Sequence, residues 1–193
     1  MDEDKKRFER SGKKVYVIPE GGSSALGIWG YINFMKELKE QFNLKKLTGI
    51  LTAAGSGGTA AGLMIGSKLY GLEIKIFAVN VLYDKETIEN KIISCAEACI
   101  DEFKLKIRID KNALEIMDGY STEGYKNITP AKLRVIKNFA ASKGILFDPA
   151  YTGKAFYAYY ENFLKKNSTS KILFVHTGGL YGAFSKRIEY LNA

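Results

Sequence analysis

The chain of 193 residues carries 29 Lys and Arg against 21 Asp and Glu, one His, two Cys and three Pro, for a net charge of +8. That length suits one domain or part of a larger one, and 46% hydrophobic with 12% aromatic residues excludes an intrinsically disordered chain. No apolar run approaches the ~18 residues of a membrane-spanning helix; the charged start MDEDKKRFERSGKK lacks the apolar centre of a secretory signal, and two cysteines make no disulfide framework, so a reducing, cytoplasmic setting is expected.

Val15 to Pro19 is a short apolar run stopped by Pro and by Gly21-Gly22, which predicts a strand and a turn. Ser23 or Ser24 offers an N-cap for a helix with apolar positions Leu26, Trp29, Phe34 and Leu38. Residues 47–54 (LTGILTAA) predict a buried strand that ends in Gly55-Ser56-Gly57-Gly58-Thr59 and leads into a small-residue helix from Ala60 to about Tyr70. Glu73 to Val79 reads as the next strand, and 85–103 as an amphipathic helix bearing Ile88, Ile92, Cys95 and Cys99. Residues 104–128 show no regular period. Pro130 opens a helix to about Ser142, with Gly144 as its stop. Ile145 to Phe147 predicts a short strand ended by Asp148-Pro149, and Thr152 a helix to about Lys166. Lys171 to His176 predicts a last buried strand, closed by Thr177-Gly178-Gly179 and a short helix.

Strands alternating with helices predict an α/β fold, a Rossmann-like sandwich with a parallel sheet and helices on both faces. Ligands of such sheets bind beyond the carboxyl ends of the strands. Three strand ends carry glycine with hydroxyl residues: after Ala54, after Pro149 and after His176. The sharpest is Gly55 to Thr59. Glycines let the backbone approach an anion, successive N–H groups converge on it, and the following helix adds its positive end. No GK[ST] follows and the spacing is not GxGxxG, so neither a Walker loop nor a dinucleotide fingerprint is present.

The lone His176 forms no multi-histidine metal site and reads as a strand end; Cys95 and Cys99 read as core packing. Tyr157, Tyr159 and Tyr160 lie on a helix and read as packing residues, whereas Tyr125 and Tyr151 stand in irregular loops beside Gly or Pro. The positive charge admits nucleic acid or a phosphorylated ligand. Its lysines (Lys5, Lys6, Lys13, Lys14, Lys45, Lys46, Lys165, Lys166) are scattered rather than striped, so a solvated surface is expected, with neither nucleic acid nor membrane as partner.

YVIPEGGSSALGIWGY (16–31), ILTAAGSGGTAAGL (50–63), GILFDPAYTGKAF (144–156) and ILFVHTGG (172–179) resemble, in order, the D-cysteine desulfhydrase/1-aminocyclopropane-1-carboxylate deaminase family. The resemblance implies the tryptophan synthase β-like fold (fold type II), pyridoxal 5′-phosphate as cofactor, and Gly55, Ser56, Gly57, Gly58 and Thr59 as the phosphate loop. It implies Thr177 at the pyridine nitrogen, where a hydroxyl does not hold the nitrogen protonated and elimination is favoured over transamination. Tyr125 and Tyr151 match the family's two catalytic tyrosines, and Thr152 a substrate-binding position. The deaminases carry Glu where Thr152 stands and Leu where Thr177 stands, so the resemblance leans toward D-cysteine desulfhydrase, which converts D-cysteine to pyruvate, sulfide and ammonia. A deaminase-like fragment and a noncatalytic phosphate-binding module are the alternatives.

The family's Schiff-base lysine lies in an N-terminal segment that the resemblance does not cover here, and Lys154, in TGKAF, is out of that context. Ser24 replaces the usual Asn of the GGSN turn, and Lys126 a Gly. The chain is therefore expected to form the C-terminal part of the enzyme. About 1–45 would be a remnant of the small domain and about 46–193 the cofactor-binding large domain. A separate N-terminal half or a homodimer partner would complete it, and alone it would be inactive, with an exposed sheet edge and an open cofactor face.

Overall fold

The computed structural model describes residues 2–192. Strand β1 (Gly49–Ala54) lies at the centre, parallel to β2 (Lys75–Asn80) on one side and to β4 (Ile172–Val175) on the other; β3 (Leu114–Met117) extends the sheet beyond β2, giving the order β3-β2-β1-β4. β1 is buried on both faces, which is why LTGILTAA reads as an unbroken apolar run rather than an alternating one. Side chains nonetheless alternate between two cores. Ile50, Ala54, Ile76 and Ala78 enter one, and Leu51, Ala53, Phe77 and Val79 the other.

The first core is roofed by α2 (Trp29–Gln41), α3 (Gly58–Leu69) and α4 (Lys85–Phe103). The small residues of α3 exist for α2: a methyl on Gly62 would come within 2.6 Å of Tyr31 Cβ, and one on Gly66 within 2.8 Å of Met35 Cβ. On the other face lie α5 (Pro130–Lys143) and α6 (Thr152–Tyr159), which contribute Leu133, Ile136, Ala155, Phe156 and Ala158. α6 runs on into a wider turn over Tyr160–Leu164. A charged helix, α1 (Asp2–Arg10), precedes this sandwich; α7 (Leu180–Ser185) and α8 (Arg187–Asn192) follow it.

Local chemistry sets several boundaries. The Asp84 carboxylate accepts from Thr87 N at 2.8 Å and starts α4; the Thr129 hydroxyl accepts from Lys132 N at 3.4 Å and starts α5. Gly144 ends α5 at φ +70°, a left-handed conformation that glycine adopts without strain.

Four sequence expectations need correction. Val15 to Pro19 is extended but pairs with no strand, leaving Tyr16 76% and Ile18 70% exposed. Ile145 to Phe147 is not a strand; it dips from exposed Ile145 and Leu146 to Phe147, buried against Leu133, Ile136 and Phe156, and on to Asp148. The missing strand is instead β3, in the stretch that shows no period, because its half-buried edge position demands no apolar run. The α2 helix begins at Trp29, after a turn in which Ser24 Oγ accepts from Gly27 N at 3.0 Å, so Leu26 stays exposed. β4, expected to be buried, is half-buried, since among the described residues it pairs only with β1. No helix of the described residues is long and apolar enough to cross a membrane.

The chain order decides where a site can form. From β1 the chain moves outward through β2 to β3, then returns to place β4 on the opposite side of β1. Successive connections leave β1 in opposite directions, and a crevice opens at the carboxyl ends of β1 and β4.

Candidate active site

A pocket of ≈ 250 Å³ occupies that crevice. Its lining brings together residues far apart in sequence: the turn Gly21-Gly22-Ser23, Tyr31 of α2, Ser56, Gly58 and Thr59 after β1, Tyr151 before α6, and Thr177 after β4. None of the lining residues is a lysine. A larger cavity of ≈ 420 Å³, at the opposite edge of the sheet, contains none of the expected site residues.

The predicted loop divides its labour. Ser56, Gly58 and Thr59 face the pocket, whereas Gly55 and Gly57 serve the packing behind it. The ring of Tyr151 lies 3.1 Å from where a Gly55 methyl would sit. Gly57 caps α3 at φ +91° with Ile92 beside it, a conformation and a space that only glycine fits comfortably. Because Gly57 has no side chain, the first turn of α3 receives no cap from its own N-cap residue.

Ser23 supplies part of what is missing. Its Oγ accepts from Gly58 N at 3.0 Å and shares a 2.7 Å hydrogen bond with Ser56 Oγ. Ser23 therefore caps α3, not the α2 helix that follows it in sequence. The approach is so close that a methyl on Gly58 would sit 2.4 Å from Ser23 Oγ, and one on Gly21 2.2 Å from Ser56 Oγ. Thr59 N–H, in the first turn, has no partner within the helix by its geometry. Three hydroxyls and the positive end of α3 thus surround one small volume.

On the other wall, Tyr151 OH donates to Ala53 O at 3.1 Å. Burial pushes its phenol up to about 12, with the Gly55 backbone amide opposing, so the group is a protonated donor at neutral pH. Tyr125 meets Tyr151 edge to face with ring centroids 6.4 Å apart, but it is 43% exposed and outside the pocket lining. Burial, and then the Asp148 charge, raise its phenol above the ordinary value.

Thr152, expected at the substrate, is buried, and its hydroxyl donates to Asp148 Oδ1 at 2.6 Å; it does not line the pocket. Asp148 is the residue that sequence reading passed over. Its carboxylate accepts from the amides of Ala150 (3.0 Å), Tyr151 (2.6 Å) and Thr152 (2.7 Å) and so fixes the start of α6. The Asp-Pro pair ahead of a helix was the available signal. Tyr31 and Ile28 carried no signal, since their place in the pocket depends on how α2 crosses α3.

His176 lies exposed just past β4. Its Nδ1 accepts from Gly178 N at 3.3 Å, so Nε2 carries the proton and donates to Leu146 O at 3.2 Å. Cys99 is in the first core and Cys95 beside it; burial raises both thiols.

Residues 1–178 match the family model described as pyridoxal-phosphate dependent enzyme. The chain belongs to that family. A Thermotoga maritima protein named as a candidate 1-aminocyclopropane-1-carboxylate deaminase is 38% identical over 186 residues, covering 96% of this chain and 58% of its own length. The mitochondrial bifunctional D-cysteine desulfhydrase/1-aminocyclopropane-1-carboxylate deaminase of Arabidopsis thaliana is 37% identical, covering 94% of this chain and 46% of its own. A crystal structure described as an ACC deaminase homologue superposes with a TM-score of 0.88 at 34% identity, over 99% of this chain and 57% of that one. The α/β fold with its parallel sheet is thus that of the family, and the chain spans about half the length of these relatives.

The cofactor of this family fits the pocket on structural grounds. A glycine-built cradle that methyl groups would fill, three hydroxyls and a helix N-terminus make a donor set for a phosphate.

Proposed function

We propose that this chain holds the phosphate end of pyridoxal 5′-phosphate in a carbon–sulfur lyase acting on a small amino acid, most like D-cysteine desulfhydrase. The observation that carries this reading is the convergence of Ser23, Ser56, Gly58, Thr59, Tyr151 and Thr177 on one pocket at the carboxyl ends of β1 and β4. Ser56 and Thr59 would bind the phosphate, Ser23 would cap α3 and hold Ser56 in place, and Gly58 leaves room at the positive end of α3. Bound there, the cofactor supplies an electron sink for loss of the substrate α-proton and of its β-substituent.

The residues of this chain orient and protonate. Thr177, in the pocket lining, would serve the ring nitrogen as a neutral hydroxyl partner. Tyr151 and Tyr125, both protonated at neutral pH, would donate to the substrate or its leaving sulfur, Tyr151 by exchanging its bond to the Ala53 carbonyl and Tyr125 from beside it, outside the lining. For D-cysteine the balance is addition of one water and release of pyruvate, hydrogen sulfide and ammonia. Thr177 in the lining favours the desulfhydrase reading. Thr152 no longer bears on it, because its hydroxyl is taken by Asp148.

The amine that would hold the cofactor carbonyl is not among the residues lining the pocket. Lys154, the one buried lysine among the described residues, turns away toward Gly124. A lysine-bearing polypeptide or a second copy would then complete the centre beside the half-buried edge of β4. The free thiols of Cys95 and Cys99 support a reducing compartment, the cytoplasm.

The test has two arms. Titration with pyridoxal phosphate, followed by absorbance and by thermal shift against inorganic phosphate, reads the pocket itself; absence of protection by either ligand overturns the reading. Reconstitution with a lysine-bearing segment of a relative, assayed for sulfide and pyruvate from D-cysteine and for ammonia from 1-aminocyclopropane-1-carboxylate, reads the reaction. Ammonia from the second substrate with no sulfide from the first reassigns the chain to the deaminase branch.

A further inference from the structure

Lys154 is fully buried, yet it plays no part in the pocket. A buried ammonium is costly unless it is paired and hydrogen-bonded, so its partners show what it is for. Nζ donates to the carbonyl oxygen of Gly124 at 2.6 Å and lies 3.9 Å from Glu123 Oε2. The other oxygen of Glu123 accepts from Lys132 Nζ at 2.5 Å, and Lys132 in turn sits over the rings of Tyr120 and Tyr157. Two cations from α5 and α6 therefore grip one carboxylate and one carbonyl of the loop between β3 and α5.

The placement along the chain gives this grip its meaning. Gly124, in the left-handed region at φ +81°, immediately precedes Tyr125. Lys154 stands in the first turn of α6, three positions after Tyr151. The strut joins the backbone beside one tyrosine to the helix turn beside the other, and their rings meet edge to face. Tyr125 is exposed, and the bonds around it close the turn on itself (Gly124 N to Ser121 O at 2.9 Å, Asn127 N to Gly124 O at 3.2 Å, Asn127 Nδ2 to Glu123 O at 2.8 Å), so it is the Lys154 bond that ties this turn to α6. Burial lowers the Lys154 ammonium below its ordinary value while Glu123 opposes the shift, in keeping with a charge kept by its partners.

We infer that Lys154 is a positioning residue: through the Gly124 carbonyl it sets Tyr125 against Tyr151 and so fixes the spacing of the tyrosine pair that flanks the pocket. The functional weight of this inference rests on the site reading above, but the geometry does not, and its test needs no catalysis.

The chain is labelled with 3-fluorotyrosine, and the fluorine resonances of Tyr125 and Tyr151 are assigned by Tyr→Phe substitution. In Lys154→Met the Tyr125 resonance moves to the position of a solvent-exposed ring, and the Tyr151 resonance shifts with it, while Tyr70, at the far end of α3, is unchanged. In Glu123→Gln the bond to the Gly124 carbonyl survives, so Tyr125 moves less than in Lys154→Met. A folded Lys154→Met protein with both resonances in place overturns the inference, as does an equal effect of Glu123→Gln. The unsubstituted protein gives an independent reading should Lys154→Met not fold. Nitrogen-15 lysine spectra show one ammonium with slow proton exchange and cross-relaxation to Gly124; its absence overturns the inference too. Pyridoxal phosphate titration of the same samples reads the pocket separately, so failure of the strut and failure of the site reading are told apart.

Discussion

Helices α3 and α6 both start at the carboxyl edge of the sheet, on opposite faces, and their first turns are treated in opposite ways. At α6 the Asp148 carboxylate accepts from three amides and a hydroxyl, so the positive end of the helix is closed by an anion from its own loop. At α3 the N-cap is a glycine without a side chain, and the one capped amide, that of Gly58, is held by a neutral hydroxyl. On the site reading proposed above, a phosphate would be repelled from the first and drawn to the second. Identical placement in the fold does not make two helix starts equivalent as anion sites; what already sits on the orphan amides does.

The contrast can be broken most strongly at Asp148. Asp148→Ala removes the acceptor of a buried cluster of donors and should lower the unfolding free energy by about 3 kcal/mol in urea titration. A loss under about 1 kcal/mol would mean the carboxylate is not what closes α6.

The tyrosine between the two helices gives the next largest effect. The Tyr151 phenol is raised to about 12 by burial, from an ordinary value of about 10 in the unfolded chain. The folded state thus holds the proton more tightly. Its contribution is intact below about pH 10 and is lost as pH rises through about 12, a fall of roughly 2 to 3 kcal/mol. Urea midpoints measured across that window should fall less steeply in Tyr151→Phe; equal slopes would show that Tyr151 ionises as an exposed phenol does.

The α3 end is sharpened by two smaller changes. Gly58→Ala places a methyl 2.4 Å from Ser23 Oγ and should weaken pyridoxal phosphate binding at least about tenfold, or about 1.4 kcal/mol, by absorbance titration. Unchanged affinity would place the anion elsewhere. Ser23→Ala should cost about 1 kcal/mol of stability, because Gly58 N–H loses its acceptor, and should leave inorganic phosphate affinity within about threefold. A larger loss of phosphate binding would make Ser23 a principal ligand rather than a cap.

How far the sequence could be read depends on where each element finds its partners. The 85–103 helix coincides with α4, because its apolar period and the Asp84 cap act within one stretch of chain. The α5 stop at Gly144 was legible for the same reason. Val15 to Pro19 had a strand's composition, but a strand exists only if another strand accepts its hydrogen bonds, and none does. β3 shows the converse: an unremarkable LEIM becomes a strand because β2 offers it an edge. α1 escaped notice because its support is charge pairing on the surface, Arg7 with Asp4 at 3.0 Å and Lys5 with Glu9 at 3.8 Å, with no apolar face to read.

By itself the sequence determined the alternation of strands and helices, the glycine loop after β1 and the hydroxyl after β4, since these follow from periodicity and from residues suited to one backbone conformation. Only the tertiary structure decided that Ser23 caps a helix 35 residues away, that Tyr151 reaches the Ala53 carbonyl 98 residues away, and that Asp148 rather than a ligand occupies the start of α6. Those outcomes rest on which donors and acceptors the crossing of α2 over α3 and the return of the chain to β4 bring within 3 Å or so, and a local pattern of residue types does not carry that distance.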